Sequence, residues 1–532
     1  MIFENNHLKF KDNLNYFIIF FFIFFLIVGL FIYDDFGMPY DALEYRQQGL
    51  IILNHIGNFF FKEITKSIIG SKNIVSVHDY QKGFIFSGVP FHSSHALIEK
   101  IFFDFQSKKE VYYFKYVFTF LFNFIGCIFF YLLLKEKFND KILSLIGVAI
   151  LISSPRIFPE LFYNPNDIPF MTSTIIFFYF AKRYFTKSSN RNLILISLVS
   201  GFLVSMRFGG LVYPMIFVFI YFLYDYFFLK KPFVLVTKRL LIFILLFLTF
   251  SYLFNPSLWN NFLNTFYLSI NTSISYDLIF PKILYLGKFY DIKNLPWHYL
   301  LVWIGSSTPI LYLFFICIGI LTFLFTFKKE FNSNEIFFDS FLFFSLIFFL
   351  LAVIFISKSI INGWRHMYFL YPSLIYFSIY SFSIIKLRNF FLVLFILSFF
   401  YNCHWIIKNH PHQMVFFNSL AGKDLQNKFE LDYWGLSIKN SMLQLLKNNK
   451  NVTVIGSSNT RLNFTKNLLT NEEKRRITIV DNVDNANYII SVFNGSKRRK
   501  DFIQNGFKVI NDIKVDNIII NSSFENLNYK KF

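Results

Sequence analysis

The chain has 532 residues, of which 55% are hydrophobic and only 16% charged, with a mean hydropathy of +0.46. A soluble globular protein carries about 25% charged residues, so this composition excludes an ordinary soluble enzyme and points to a polytopic membrane protein. The formal net charge of +20 takes a topological reading, because membrane proteins concentrate Lys and Arg on one side; the basic residues are not interleaved with aromatics as in single-strand binders, and no nucleic-acid partner is expected.

In chain order, the first apolar run, Tyr16 to Tyr33, follows Lys9 and Lys11 and has no small-residue cleavage site after it. It reads as an uncleaved signal-anchor helix. A span needs about 20 apolar residues. On that measure the sequence predicts eleven spans, near 15–33, 112–134, 141–154, 168–182, 192–206, 208–229, 238–255, 298–326, 335–357, 366–384 and 389–407. With the N-terminus inside, the short basic loops fall on one side: Lys135, Lys137 and Lys141; Lys182, Arg183, Lys187 and Arg191; Lys230, Lys231, Lys238 and Arg239; Lys328 and Lys329; Lys386 and Arg388. The loops 34–111, 153–167, 256–297 and 357–366, and the tail from Lys408, fall on the other. Those segments also hold most of the Asp, Glu, His, Trp and Pro.

The domain expectation is therefore a membrane domain over 1–407 and a small soluble α/β domain over 408–532 on the outer face. LIILNHIGNFF (50–60) is too short to span and reads as an interfacial helix. In the tail, 451–458, 476–481, 487–493 and 516–524 read as strands and 459–469 as a helix. VIGSSNTR (454–461) lacks the glycine spacing and Lys-Ser/Thr ending of a phosphate loop and reads as a plain loop. Cys127, Cys317 and Cys403 lie in or beside apolar runs with no CxxC spacing, as core residues would.

The polar clusters of the outer side carry the chemistry. After the first span, YDDFGMPYDALEYRQQG places Asp34 and Asp35 at the membrane edge, with Tyr40, Asp41 and Glu44 behind them. Adjacent carboxylates at a low-dielectric boundary raise one another's pKa, which suits a general base; a helix cap with solvated charges is the structural alternative. SSPRIFPELFYNPNDIPF (153–170) interrupts two apolar runs with Arg156, Glu160, Asn164 and Asp167. Asp167, followed by Ile-Pro, fits a helix N-cap, but Arg156 and Glu160 in the same turn ask for a function. Arg207 stands between two spans beside a glycine pair, as a snorkelling or a ligand-binding residue. Arg365 and His366 open a late span on the side where basic groups are scarce, which favours an anionic ligand. His410, His412, Glu430 and Asp432 show no helical His-x-x-x-His arrangement, so no cofactor is expected and a divalent metal is a minor alternative.

The acidic pair after the first span, the loop acid Asp167, the sidedness, and YLGKFYDIKNLPWHYLLVWIGSSTP (285–309) together resemble the GT-C membrane glycosyltransferases. The likeness is to bacterial relatives of protein O-mannosyltransferases and of the lipid A aminoarabinose transferase. NGWRHMYFLYP (362–372), HPHQMVFFNSLAG and ELDYWG add to it. The resemblance implies a polyprenyl-phosphate-sugar donor, a lipid, glycan or protein acceptor, inversion at the anomeric carbon, and a first-loop acid as base. Carried over, Asp34 or Asp35 is the base and Asp167 the second acid of the site. Arg156, Arg207 and Arg365 are candidates for the donor phosphate, with Glu160, Asn164, His366, Tyr40 and Glu44 as further substrate contacts. The implied location is the cytoplasmic membrane, multi-pass, with an outward-facing site. Two other readings are a transporter or flippase of a lipid-linked sugar and a non-enzymatic envelope assembly protein. No internal repeat of the kind transporters show is visible, and a scaffold has no need to gather Asp and Arg on one face.

Overall fold

The computed structural model describes residues 2–60, 62, 87–259, 262–265, 267–268, 282–329, 335–356, 360–449, 453–457, 462–493 and 498–527. Parts of the first and third outer loops, the start of the 357–366 segment and the 458–461 half of VIGSSNTR lie outside these residues. The chain is a multi-pass helical membrane protein with a small sheet-bearing C-terminal region. Among the described residues, seven segments are long and apolar enough to cross a bilayer: Asn13–Ile32, Lys108–Phe138, Phe208–Phe228, Phe233–Phe254, Ile310–Phe327, Glu335–Phe355 and Arg388–Lys408.

The helices are α1 (Ile2–Ile32), α2 (Ala42–Phe60), α3 (Val89–Phe102), α4 (Lys108–Phe138), α5 (Lys141–Ile152), α6 (Ile157–Tyr163), α7 (Asp167–Thr186), α8 (Asn190–Met206), α9 (Val212–Phe222) and α10 (Phe233–Phe254). After a hairpin of β1 (Lys282–Tyr285) and β2 (Lys288–Asp291) come α11 (Tyr299–Ser307), α12 (Ile310–Lys329), α13 (Glu335–Ile356), α14 (Tyr371–Ile379) and α15 (Arg388–Lys408).

The other expected spans are helical but of a different character. α5 and α6 form a pair bent by 72°, which counts as an eighth crossing when taken together. α7 is buried along almost its whole length. Such a central helix tolerates polar residues: Ser173 and Thr174 return their hydroxyls to the carbonyls of Pro169 and Phe170, at 2.7 and 2.9 Å. The 366–384 segment is a composite of tight turns around α14. The expected span at 298–326 is divided into α11 and α12 at Thr308–Pro309, because proline has no N–H to give the preceding turn. Asn418 replaces the missing donor, giving its amide to the carbonyls of Gly305 and Thr308, each at 2.6 Å.

The basic loops converge at one end of the bundle. Lys137 and Lys182 both bind Glu335, at 3.1 and 2.5 Å, and Lys137 also binds Asp339 at 2.7 Å. Arg388 binds Asp140 at 2.5 Å, and Lys231 binds Asp225 at 2.7 Å. These pairs tie the ends of four or more helices where a solvated charge alone would hold nothing. Asp167 begins α7 at the opposite end, about 22 Å away along the helix axis from Lys182.

The sequence-based boundary at 407/408 marks the end of α15, but the packing boundary falls later. Met414, Phe416, Phe429, Tyr433, Trp434 and Leu436 belong to the core of the membrane domain. From α16 (Ile438–Asn448) onward a separate core forms around Met442, Leu445, Ile455, Leu462, Ile477 and Ile490. Its sheet comprises β3 (Thr453–Ser457), β4 (Ile477–Val480), β5 (Tyr488–Ser491), β6 (Phe507–Val515) and β7 (Ile518–Asn526), in the order β4-β3-β5-β7-β6. β3 pairs in parallel with β4 and β5, and β7 pairs antiparallel with β5 and β6.

Candidate functional site

The stretch 153–170 builds the floor of the site. α5 stops where Ser153 and Ser154 turn their hydroxyls back to Ala149 and Ile150, at 2.5 and 2.7 Å, and Pro155 follows. α6 then runs off at a steep angle and ends at Asn164. Asn164 organises the turn. Its amide donates to Glu160 at 2.7 Å and to Asp167 at 2.8 Å, and its carbonyl accepts the Asp167 backbone N–H at 2.9 Å.

Asp167 was expected to cap α7. It is instead the first residue inside the helix, with Asn166 in the cap position and no side-chain cap bond. Its carboxylate points to the arginines. Arg207 binds one oxygen, and Arg365 Nη1 binds the other at 3.1 Å. The side chain is fully buried, so both cations are drawn into a low-dielectric pocket. Each also lies over a ring: Arg365 over Trp434 at 4.4 Å and Arg207 over Phe170 at 5.5 Å.

Glu160, also fully buried, accepts from Tyr433 Oη at 2.9 Å and from Trp434 Nε1 at 3.2 Å. The ELDYWG segment thus closes over 153–170. It is held in place by Asp432, which accepts the N–H of Leu436 at 3.0 Å, the N–H of Ser437 at 2.9 Å and the Ser437 hydroxyl at 2.5 Å. Burial pushes the Asp432 carboxyl up, and these bonds pull against it. Arg156 is buried between Trp303 and Phe417, at 4.9 and 5.1 Å from the ring centres. Among the described residues, none of its three guanidinium nitrogens has a hydrogen-bond partner.

The first outer loop contributes differently from the sequence expectation. Asp34 and Asp35 are exposed. Asp35 meets His410 Nε2 at 2.8 Å, and the backbone carbonyls of Asp34 and Asp35 accept from Lys439 at 2.6 and 3.1 Å. Among the described residues of this loop, the acid that reaches the arginines is Asp41, whose carboxylate lies 3.8 Å from Arg365 Nη2. Tyr40 packs on Gly435, whose positive φ of 74° and lack of Cβ make room for the ring. Glu44 sits half-buried in the first turn of α2. His366 is half-buried beside the site, and its carbonyl accepts from Arg207 at 3.3 Å.

The structure therefore unites Glu160, Asn164, Asp167, Arg207 and Arg365, with Tyr40, Asp41 and His366 around them, and leaves Asp34 and Asp35 outside. The adjacent pair drew attention in the sequence because two carboxylates at a membrane edge are conspicuous. Asp41 carried a quieter signal, an acid standing directly before α2. The result is an alternating series of charges, Asp41, Arg365, Asp167 and Arg207, supplied by four separate chain segments. No family model matches this chain, and no curated protein matches it.

Proposed function

We propose that the chain is a GT-C type membrane glycosyltransferase. It moves a sugar from a polyprenyl-phosphate donor to a hydroxyl of a lipid, glycan or protein acceptor. The reading includes eleven crossings of the cytoplasmic membrane, a cytoplasmic N-terminus, and a site and C-terminal domain on the outer face. The observation that carries it is Arg365, which faces Asp41 at 3.8 Å and Asp167 at 3.1 Å.

The two acids then divide the work. Asp167 is engaged by two arginines and an amide, which suits a positioning role. Asp41 stands at the edge, 21% exposed, and has the looser contact. In the proposed reaction Asp41 takes the proton of the acceptor hydroxyl as its oxygen attacks the anomeric carbon. The bond from that carbon to the phosphate oxygen breaks with inversion, and polyprenyl phosphate leaves. Arg365 and Arg207, with Arg156 behind them, meet the charge that develops on the leaving phosphate.

The test is transfer of radiolabelled sugar from polyprenyl-phosphate donors to an envelope extract by the reconstituted protein. Asp41→Asn is expected to reduce transfer by about 100-fold or more, while binding of the donor persists. Wild-type transfer by Asp41→Asn would sink the assignment. An absence of transfer with every donor would favour a transporter or an assembly protein.

A further inference from the structure

Against the ring of Tyr45 lies a second polar cluster that the transfer reaction does not use. His92 and His95 share one face of α3, and Lys115 faces them from α4; all three are buried, at 0%, 1% and 2% exposure. His92 stacks on the Tyr45 ring, with centroids 5.0 Å apart, and Lys115 Nζ lies 5.7 Å from the centre of that ring. Among the described residues, Lys115 Nζ, both nitrogens of His92 and Nε2 of His95 have no hydrogen-bond partner. Burying so many polar nitrogens without partners is costly.

The neighbouring acid does not answer them. Glu99 is taken by Arg46, through Nη2 at 2.6 Å and Nε at 3.3 Å, so that pair balances its own charge. Gln48 gives its amide to the Ser87 carbonyl at 2.5 Å, and Phe114 and Phe118 flank His95. Burial first, and then the Lys115 ammonium, holds both imidazoles well below their usual range, so each keeps a single N–H to donate. The cluster is thus a set of N–H donors, and among the described residues the nearby carboxylate, Glu99, is already paired with Arg46. Tyr45 joins it to the first site, since its hydroxyl accepts from Asn166, the residue before Asp167, at 3.3 Å.

We propose that His92, His95 and Lys115 form a subsite for a phosphate-type oxyanion, carried by the acceptor and held against the ring of Tyr45. That the anion belongs to the acceptor rests on the glycosyltransferase reading; its binding does not. Lys115 supplies the charge, and the two imidazole N–H groups supply directed hydrogen bonds.

The experiment is thermal unfolding of the full chain at fixed ionic strength, with chloride exchanged for inorganic phosphate. A parallel arm compares nanodiscs of phosphatidylcholine with nanodiscs containing phosphatidic acid. Wild type is expected to show a saturable rise in Tm that Lys115→Met lacks, while Lys115→Met in chloride is at least as stable as wild type. A rise with free phosphate assigns a soluble or glycan phosphate; a rise only with phosphatidic acid assigns a lipid headgroup. No rise in either arm, or an equal rise in Lys115→Met, overturns the proposal, the latter placing the anion at Arg207 and Arg365. Should Lys115→Met fail to fold, His95→Gln is read in the same way. Because the readout is unfolding, a response lost in Lys115→Met stands even if Asp41→Asn transfers sugar normally.

Discussion

Tyr433 donates its hydroxyl to Oε1 of Glu160 at 2.9 Å, although the two residues lie 273 positions apart. This bond fastens the segment after α15 to the turn between α5 and α7, and it makes the C-terminal segment a wall of the site. Removing the donor leaves a buried carboxyl with Trp434 and Asn164 as its remaining partners. Tyr433→Phe is expected to cost about 1–3 kcal/mol, read as a lower denaturant midpoint with an unchanged slope.

Asp167 holds Arg207 and Arg365 together, and among the described residues the other acid near either arginine is Asp41, at 3.8 Å from Arg365. Asp167→Asn leaves two cations facing one another in a buried pocket, with Asp41 beside only one of them. Breaking a buried pair from one side costs about 3–5 kcal/mol. The double variant Asp167→Asn/Arg365→Gln is expected to recover part of that loss, because it removes one of the stranded charges. Unfolding midpoints of the two single variants and the double variant give the coupling, and strict additivity would contradict the pairing.

Asp35 and His410 form an exposed pair, 51% and 23% accessible. Exposed pairs contribute about 0–1 kcal/mol. Asp35→Asn is therefore expected to unfold within that margin of wild type and to transfer sugar at the wild-type rate, as is Asp34→Asn. A large loss of transfer at either position would move the base back to the adjacent pair and away from Asp41.

Much of the architecture was legible because hydropathy and period speak directly. The long apolar runs at 112–134 and 389–407 are helices, the run beginning at 335 is the helix Glu335–Ile356, and the four strands read in the tail correspond to β3, β4, β5 and β7. β6 was missed because FKVINDIKV mixes polar and apolar residues without strict alternation. The hairpin of β1 and β2 was missed because its two-residue turn is Leu286-Gly287, with φ of 48° and 83°, rather than the usual Asn-Gly. The site was half legible. Arg156, Glu160, Asn164 and Asp167 are neighbours in sequence, but the approach of Asp41 and Tyr433 is decided by tertiary packing, and no local pattern records it.

Glu430 makes a pH-dependent contact with the hairpin. Burial pushes its carboxyl up to about 7, against the pull of the Leu284 N–H and of Arg498. A carboxyl raised in the folded state favours folding most below its unfolded pKa, about 4.3, and that contribution is lost as pH rises through about 7. Wild type is therefore expected to lose thermal stability between pH 5 and 8 by about the range those two pKa values define. Glu430→Gln removes the titration, so its Tm should be flatter with pH and higher than wild type at pH 8. Parallel pH profiles for the two proteins would rule this contribution out.

Gly37 fixes where the first outer loop meets the C-terminal segment. A Cβ there would stand 2.0 Å from the Leu436 carbonyl oxygen, and the Gly37 carbonyl accepts the Tyr116 hydroxyl at 2.6 Å. Backbone blocks the added methyl on one side and a buried hydrogen bond holds the loop on the other, so neither partner can yield cheaply. Gly37→Ala is expected to destabilise by more than the roughly 1 kcal/mol of an average substitution. It should also lower transfer by moving Asp41 relative to Arg365. Gly305, in α11, is the matched control, since nothing lies within 4 Å of its added Cβ. Gly305→Ala is expected to be neutral or to stabilise by about 0.5–1 kcal/mol. Equal effects of the two substitutions, in unfolding and in transfer, would show that the close approach at Leu436 does not position the first-loop acid.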